Sequence, residues 1–211
     1  MMMKFFSASF AAAVAAACLF VAAGAEANVS VGQAAPEFSA KDTSGKVQSL
    51  SDYKGRYVVL EWVNPGCPYV RKHYDSTNMQ GTQKEAVAKG AVWLSVNSTA
   101  ADAGDYKPPA ALAEWMKSQG AAPTATLMDA DGKIGRAYGA RTTPHMYVID
   151  PAGKLVYAGA IDSKPTANKG DIQTATNYVK QALDESQAGK PVSRATTQPY
   201  GCSVKYSGAG M

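Results

Sequence analysis

The sequence predicts a single α/β domain, a mixed central sheet flanked by helices over residues 28–189, followed by a tail over 190–211. Two observations predict it. Short apolar runs (YVVLEWV at 57–63, VWLSV at 92–96, TATLM at 124–128) alternate with helical stretches, the order that produces parallel strands with helical crossovers. Two further runs, MYVI at 146–149 and LVYAG at 155–159, are joined by Asp150-Pro151-Ala152-Gly153, a turn that makes them an antiparallel pair. Parallel and antiparallel strands in one sheet need helices on both faces to cover them.

The elements follow in order. Asp42-Thr43-Ser44-Gly45-Lys46 turns between two short extended pieces within 38–48. Residues 50–55 form a brief helical turn that stops at Gly55. The run at 57–63 carries a single charge, Glu61, and reads as a strand buried on both faces. Residues 68–89 are mostly helical, broken near Asp75-Ser76-Thr77 and ended by Gly90. A helix over 109–119 separates the second strand from the third, and Asp131-Gly132 leads into a short helix ending near Gly139. The last helix is expected over 171–188, with Ile172, Tyr178, Val179 and Leu183 toward one side. Beyond it the tail is polar, interrupted by Pro191 and Pro199, and without periodicity.

Composition excludes several classes. With 46% hydrophobic residues the chain is not mainly disordered, and three cysteines in 211 residues are too few for a disulfide-stapled scaffold. The net charge of +4 is dispersed, Arg71-Lys72 being the only adjacent basic pair, so nothing points to nucleic acid. Residues 1–27 place Lys4 before an apolar stretch and end on Ala25-Glu26-Ala27, the layout of a cleaved secretory signal peptide. Cleavage there removes Cys18 and leaves Cys67 and Cys202, an even pair compatible with a disulfide. No later stretch is long and apolar enough to span a bilayer, so the expectation is a periplasmic or secreted protein with no membrane segment after cleavage.

The chemistry is concentrated in EWVNPGCPYV at 61–70. A buried strand ends, Asn64-Pro65-Gly66 turns the chain, and Cys67 stands where a helix begins, with Pro68 at the first helical position. A thiol there faces free backbone N–H groups and the positive end of the helix dipole, both of which favour thiolate. Arg71 and Lys72, one turn on, add in the same direction. The alternative is a small buried hydrophobe, the commonest role of a lone cysteine. Glu61 is either a buried acid able to relay a proton to or from the thiol, or a strand-end glutamate reaching water. Arg141-Thr142-Thr143-Pro144-His145 precedes the MYVI strand; a cis proline there would hold the preceding backbone open to a peptide or thiol substrate. His73 and His145, the only histidines, read as solvent-facing or hydrogen-bonding side chains rather than bases.

Cys202 lies 14 residues past the expected end of the last helix. Extended chain of that length covers about 46 Å, enough to cross a domain about 40 Å wide. Tyr200, Val204 and Tyr206 supply apolar contacts to hold it there.

These residues resemble the thioredoxin superfamily, specifically its peroxiredoxin-like branch of alkyl hydroperoxide reductase and thiol-specific antioxidant (redoxin) proteins. The likeness covers about 31–162: APEF at 35–38, DTSGK at 42–46, LSDYKG at 50–55, VVLEW before the cysteine, YGARTTP at 138–144 and IDPAGKLVYAG at 149–159. The resemblance implies a thioredoxin-like fold, places Cys67 at the nucleophile position, matches Glu61 to the buried acid of thioredoxins, and puts Thr143-Pro144 at the cis-proline loop. Two departures stand out. Thioredoxins carry C-x-x-C, but Val70 occupies the second cysteine's place. Peroxiredoxins carry P-x-x-x-T-x-x-C and a peroxide-polarising arginine; here Leu60 and Asn64 precede Cys67, Pro144 falls where the arginine is expected, and Arg141 is the candidate substitute.

The expected activity is peroxide reduction by an exported thiol oxidoreductase, with Cys67 as nucleophile, Cys202 as resolving cysteine and Thr143, Pro144, Pro68 and Arg141 around the substrate. An external thiol, either a thioredoxin-like protein or a small thiol, restores the dithiol. No cofactor or metal is required. The alternative is thiol–disulfide exchange with protein partners. From another class come a metallochaperone using Cys67 with His145 or Met146, and an interaction protein with a permanent Cys67–Cys202 bond.

Overall fold

The structure, a computed structural model, describes residues 29–208 together with Met1. The leader with Cys18 lies outside the described residues, as do residues 209–211. The first hairpin, β1 (Ser39–Lys41) and β2 (Val47–Ser49), turns on Asp42. Its carboxylate accepts the N–H groups of Ser44 at 2.8 Å and Lys46 at 3.1 Å, the short-side-chain device that closes a tight turn. A 3-10 turn at Leu50–Tyr53 leads into β3 (Val58–Trp62), every residue of which is buried.

The crossover from β3 to the parallel strand β4 (Val92–Asn97) is helical, in two pieces. Helix α1 (Pro68–Asp75) and helix α2 (Asn78–Ala88) meet at Ser76 and Thr77, and Thr77 has the left-handed φ of 62° that ends one helix and caps the next. Helix α3 (Pro109–Ser118) crosses to β5 (Ala125–Met128), parallel to β4. After the short α4 (Lys133–Tyr138) come β6 (Thr142–Thr143), β7 (Met146–Ile149) and β8 (Leu155–Gly159). The main sheet runs β5-β4-β3-β7-β8, with β7 antiparallel to both neighbours. The predicted mixed α/β sheet is present, strand for strand.

Alternation along β3 sorts the core into two layers. Val59 and Val63 pack with Val70 and Tyr74 of α1, with Leu112 of α3 and, from the last helix, with Leu183. Val58, Leu60 and Trp62 face Ile134 and Tyr138 of α4, with Val204 from the tail.

The C-terminal helix is shorter than expected. Lys169–Thr174 is a 3-10 segment, and α5 begins only at Tyr178 (Tyr178–Gln187), so Ile172 belongs to neither its face nor the core. Two asparagines set these starts: Asn168 accepts from Gly170, and Asn177 accepts from Val179 and Lys180 at 3.1 Å each. The tail, expected to be irregular, instead adds β9 (Cys202–Ser203), which pairs antiparallel with β6.

Candidate active site

The turn after β3 is built by Asn64. Its backbone carbonyl accepts the Cys67 N–H at 3.0 Å, its side-chain oxygen accepts the Gly66 N–H at 2.8 Å, and its amide donates to Asp105 at 2.7 Å. Cys67 is thereby fixed as the N-cap of α1, with Pro68 inside the helix start, where a missing N–H is no loss. Its sulfur makes no capping hydrogen bond to the helix N–H groups. It donates instead to the carbonyl oxygen of Thr143 at 2.9 Å, and the residue is 2% exposed.

Thr143 belongs to β6, the Thr143–Pro144 peptide is cis, and Cys202 lies opposite Thr143 in the β6–β9 register. The two cysteines among the described residues, 135 positions apart in sequence, are therefore brought to one backbone group, both as free thiols. Burial, and then the neighbouring Cys67 sulfur, push the Cys202 thiol up, so Cys202 holds its proton beside its partner. Gly201 makes this approach possible. At φ 137° a Cβ would run into the Thr143 carbonyl oxygen, which excludes any side chain one residue before Cys202.

Glu61 is fully buried and accepts four hydrogen bonds, from Tyr74 at 2.7 Å, Trp93 at 2.8 Å, Ser95 at 3.0 Å and Gln83 at 3.1 Å. Burial raises its carboxyl above the ordinary range while these donors work the other way. It shares no hydrogen bond with Cys67 among the described residues, and its four donors satisfy it.

The basic residues near Cys67 are engaged elsewhere. Lys72 is buried and turns its ammonium to Asp162 at 3.3 Å and to the Lys164 carbonyl at 2.8 Å, while exposed Arg71 lies 3.9 Å from Asp75. Arg141 is exposed, and its guanidinium makes no hydrogen bond or ion pair among the described residues; its carbonyl accepts the Val204 N–H of the tail. The two histidines are buried rather than solvent-facing. His73 bonds Asn78 and Tyr200, while His145 Nδ1 accepts the Arg141 N–H and lies 3.1 Å from the Tyr147 hydroxyl, which donates to the Tyr138 carbonyl. Desolvation lowers them to about 4 and about 3. No three His, Cys, Asp or Glu side chains gather as a metal site among the described residues.

Asp105 and Asp162 are participants the sequence did not single out, and Asn64 and Tyr200 stand out there only as a turn residue and an apolar contact. Asn64 was legible as the first residue of an Asn-Pro-Gly turn, whereas the partners of Tyr200 depend on tertiary contacts alone.

Known proteins agree with this geometry. The chain is 31% identical over 143 residues to the thiol-disulfide oxidoreductase ResA of Bacillus subtilis, a match covering 64% of this chain and 70% of that protein. It is also 31% identical over 149 residues to the thioredoxin-like protein YneN of the same organism, covering 70% and 82%. A crystal structure of an uncharacterized conserved protein from Geobacillus kaustophilus superposes with a TM-score of 0.72 at 26% identity, covering 86% of this chain and 94% of that one. The fold is thioredoxin-like, and the protein is a thiol-based oxidoreductase. With residues 31–158 matching the family model, the chain belongs to the AhpC/TSA family.

Proposed function

We propose that the protein is an exported thiol–disulfide exchange enzyme with Cys67 as nucleophile and Cys202 as resolving thiol. The observation that carries this reading is the placement of both cysteines at Thr143, one by its sulfur and the other by strand register. Cys67 gives up to solvent the proton it holds against the Thr143 carbonyl, and the resulting thiolate attacks one sulfur of a substrate disulfide, forming a mixed disulfide and releasing the other substrate sulfur as a thiolate that takes up a proton in turn. The Cys202 sulfur, losing its proton, then attacks the Cys67 sulfur. A Cys67–Cys202 bond forms, the substrate leaves fully reduced, and two electrons have passed from the enzyme dithiol to the substrate. An external thiol, protein-borne or small, reverses the enzyme's oxidation. Thr143, Pro144 and Pro68 border the reacting sulfur, and Glu61 lies behind it.

Peroxide reduction, the first expectation from sequence, has less support. Position 64 is asparagine rather than threonine, the Arg141 side chain is turned out, and ResA is named for disulfide chemistry. Mass spectrometry of the reduced protein after stoichiometric glutathione disulfide, disulfide-linked insulin or hydrogen peroxide decides between them. Exchange requires that the parent lose two hydrogens with the disulfides, that Cys202→Ser keep a glutathionyl adduct on Cys67, and that Cys67→Ser be inert. A parent that ignores both disulfides yet gives a rapid Cys67 sulfenic acid with peroxide would overturn the assignment.

A further inference from the structure

The tail does more than deliver a cysteine. It crosses the molecule as a strap, and it is held on both sides of Cys202. On the far side Tyr206 packs on Gly135, where a Cβ would collide with it, donates to the Ala140 carbonyl at 2.7 Å and stacks under Arg136 at 4.6 Å. On the near side, two residues before Cys202, the Tyr200 hydroxyl enters a socket of three buried side chains, Lys72, His73 and Asp162.

The socket is specific in its hydrogen bonding. Asn78 donates an amide N–H to His73 Nδ1 at 2.8 Å, which leaves Nε2 as the protonated nitrogen, donating to the Tyr200 oxygen at 3.1 Å. The Tyr200 hydroxyl then donates to Asp162, whose other carboxylate oxygen takes the Lys72 ammonium at 3.3 Å. A charged acceptor makes the tyrosine bond one of the stronger kind. Lys72 also lies 5.4 Å from the Tyr200 ring centroid, and Tyr69 of α1 meets that ring edge-on at 5.9 Å. The mechanism proposed above uses neither the socket nor its buried charges.

We propose that Tyr200 is a positioning residue that latches the strap over Cys67, so that one contact both seats Cys202 for the resolving step and closes the β6 edge to an extended polypeptide disulfide. The inference rests on the exchange reading for its first half only. With the latch engaged, β9 occupies the backbone of Thr142–Thr143, and Cys67 is almost wholly covered. A polypeptide substrate that pairs with the same backbone must displace β9, and displacement breaks the latch. Releasing Tyr200 therefore has two opposite consequences. Cys67 becomes more reactive toward outside reagents, and Cys202 becomes a poorer internal partner.

The test measures both in the full chain, for the parent, Tyr200→Phe, Tyr200→Ala and Gly201→Ala. Alkylation of Cys67 by N-ethylmaleimide is followed on the Cys67 peptide, in a Cys202→Ser background. The Cys67–Cys202 bond is equilibrated against a glutathione redox buffer with Cys202 present. Loss of one charge-assisted buried hydrogen bond is expected to raise the alkylation rate and lower the effective concentration of Cys202 by about tenfold each in Tyr200→Ala. Tyr200→Phe, which keeps the ring and loses the hydroxyl, should move both in the same senses by less. Gly201→Ala, which forces β9 from Thr143 without touching the socket, should reproduce the alanine result. Should Tyr200→Ala fail to fold, Tyr200→Phe and Gly201→Ala carry the comparison. Unchanged values in Tyr200→Phe and Tyr200→Ala, or slower alkylation in either, overturn the latch. If the parent forms no Cys67–Cys202 bond at any buffer ratio, the exchange mechanism fails, and the alkylation arm still decides whether Tyr200 closes the site.

Discussion

Oxidising the pair should stabilise the fold by an amount the topology sets. Cys67 and Cys202 are 135 positions apart, and linking them removes loop-closure entropy from the unfolded chain worth about 5 kcal/mol. Little of that should be lost to strain. The reduced chain already holds Cys202 opposite the residue that accepts the Cys67 thiol, and the strap on either side is anchored. Urea unfolding followed by tryptophan fluorescence, with Trp62 and Trp93 fully buried, reads the difference directly. For a slope of about 2 kcal/mol per molar urea, the oxidised parent should unfold about 2.5 M later than the reduced one. Cys202→Ser treated with the same oxidant should show no shift. An oxidised parent that unfolds at the same urea concentration, or earlier, would refute the reasoning, because closure would then cost what the shorter unfolded loop gains.

Three further outcomes follow from the buried polar groups. Glu61→Ala strands four buried donors and should cost at least about 3 kcal/mol in urea unfolding. Glu61→Gln should cost less. Because burial raises the Glu61 carboxyl, the folded parent binds that proton more tightly than the unfolded chain; the parent's advantage over Glu61→Gln should therefore grow as pH falls toward the ordinary carboxylate range. His73 and His145 act in the opposite sense. Held near 4 and near 3 against an ordinary 6.5, they stay neutral in the fold while the unfolded chain takes up protons, so stability drops as pH falls below 6.5. The pair is worth on the order of 4 kcal/mol between pH 7 and pH 5, and His145→Gln should flatten the slope by about half. Asn177→Ala removes the α5 cap and a hydrogen bond to Thr82, and should lower the melting stability by about 1–2 kcal/mol.

The sheet and its helices were legible because strong local patterns drive them. Residues 57–63 form an apolar run with one charge that belongs in a core, and Pro68 after the Asn64-Pro65-Gly66 turn suits the first position of a helix. The start of α5 was misplaced although its signal was present: Asn177 is a good N-cap, and the apolar spacing carried the reading back past it to Asp171. The two-residue strands β6 and β9 had no signal, since neither is long enough to show a period; their pairing is settled by Gly201 and by anchors distant in sequence. The reach of Cys202 to Cys67 followed from chain length, but the socket around Tyr200 did not. Lys72 and His73 sit on a helix that reads as partly solvated, and Asp162 lies about ninety residues away from them.

The distance in sequence between the two sulfurs also fixes an order of events as the protein is made. When residue 67 emerges from the ribosome, its covering segment does not yet exist. For the next 135 residues of synthesis Cys67 waits for Cys202. Disulfides met during that interval find an uncovered sulfur with which to exchange.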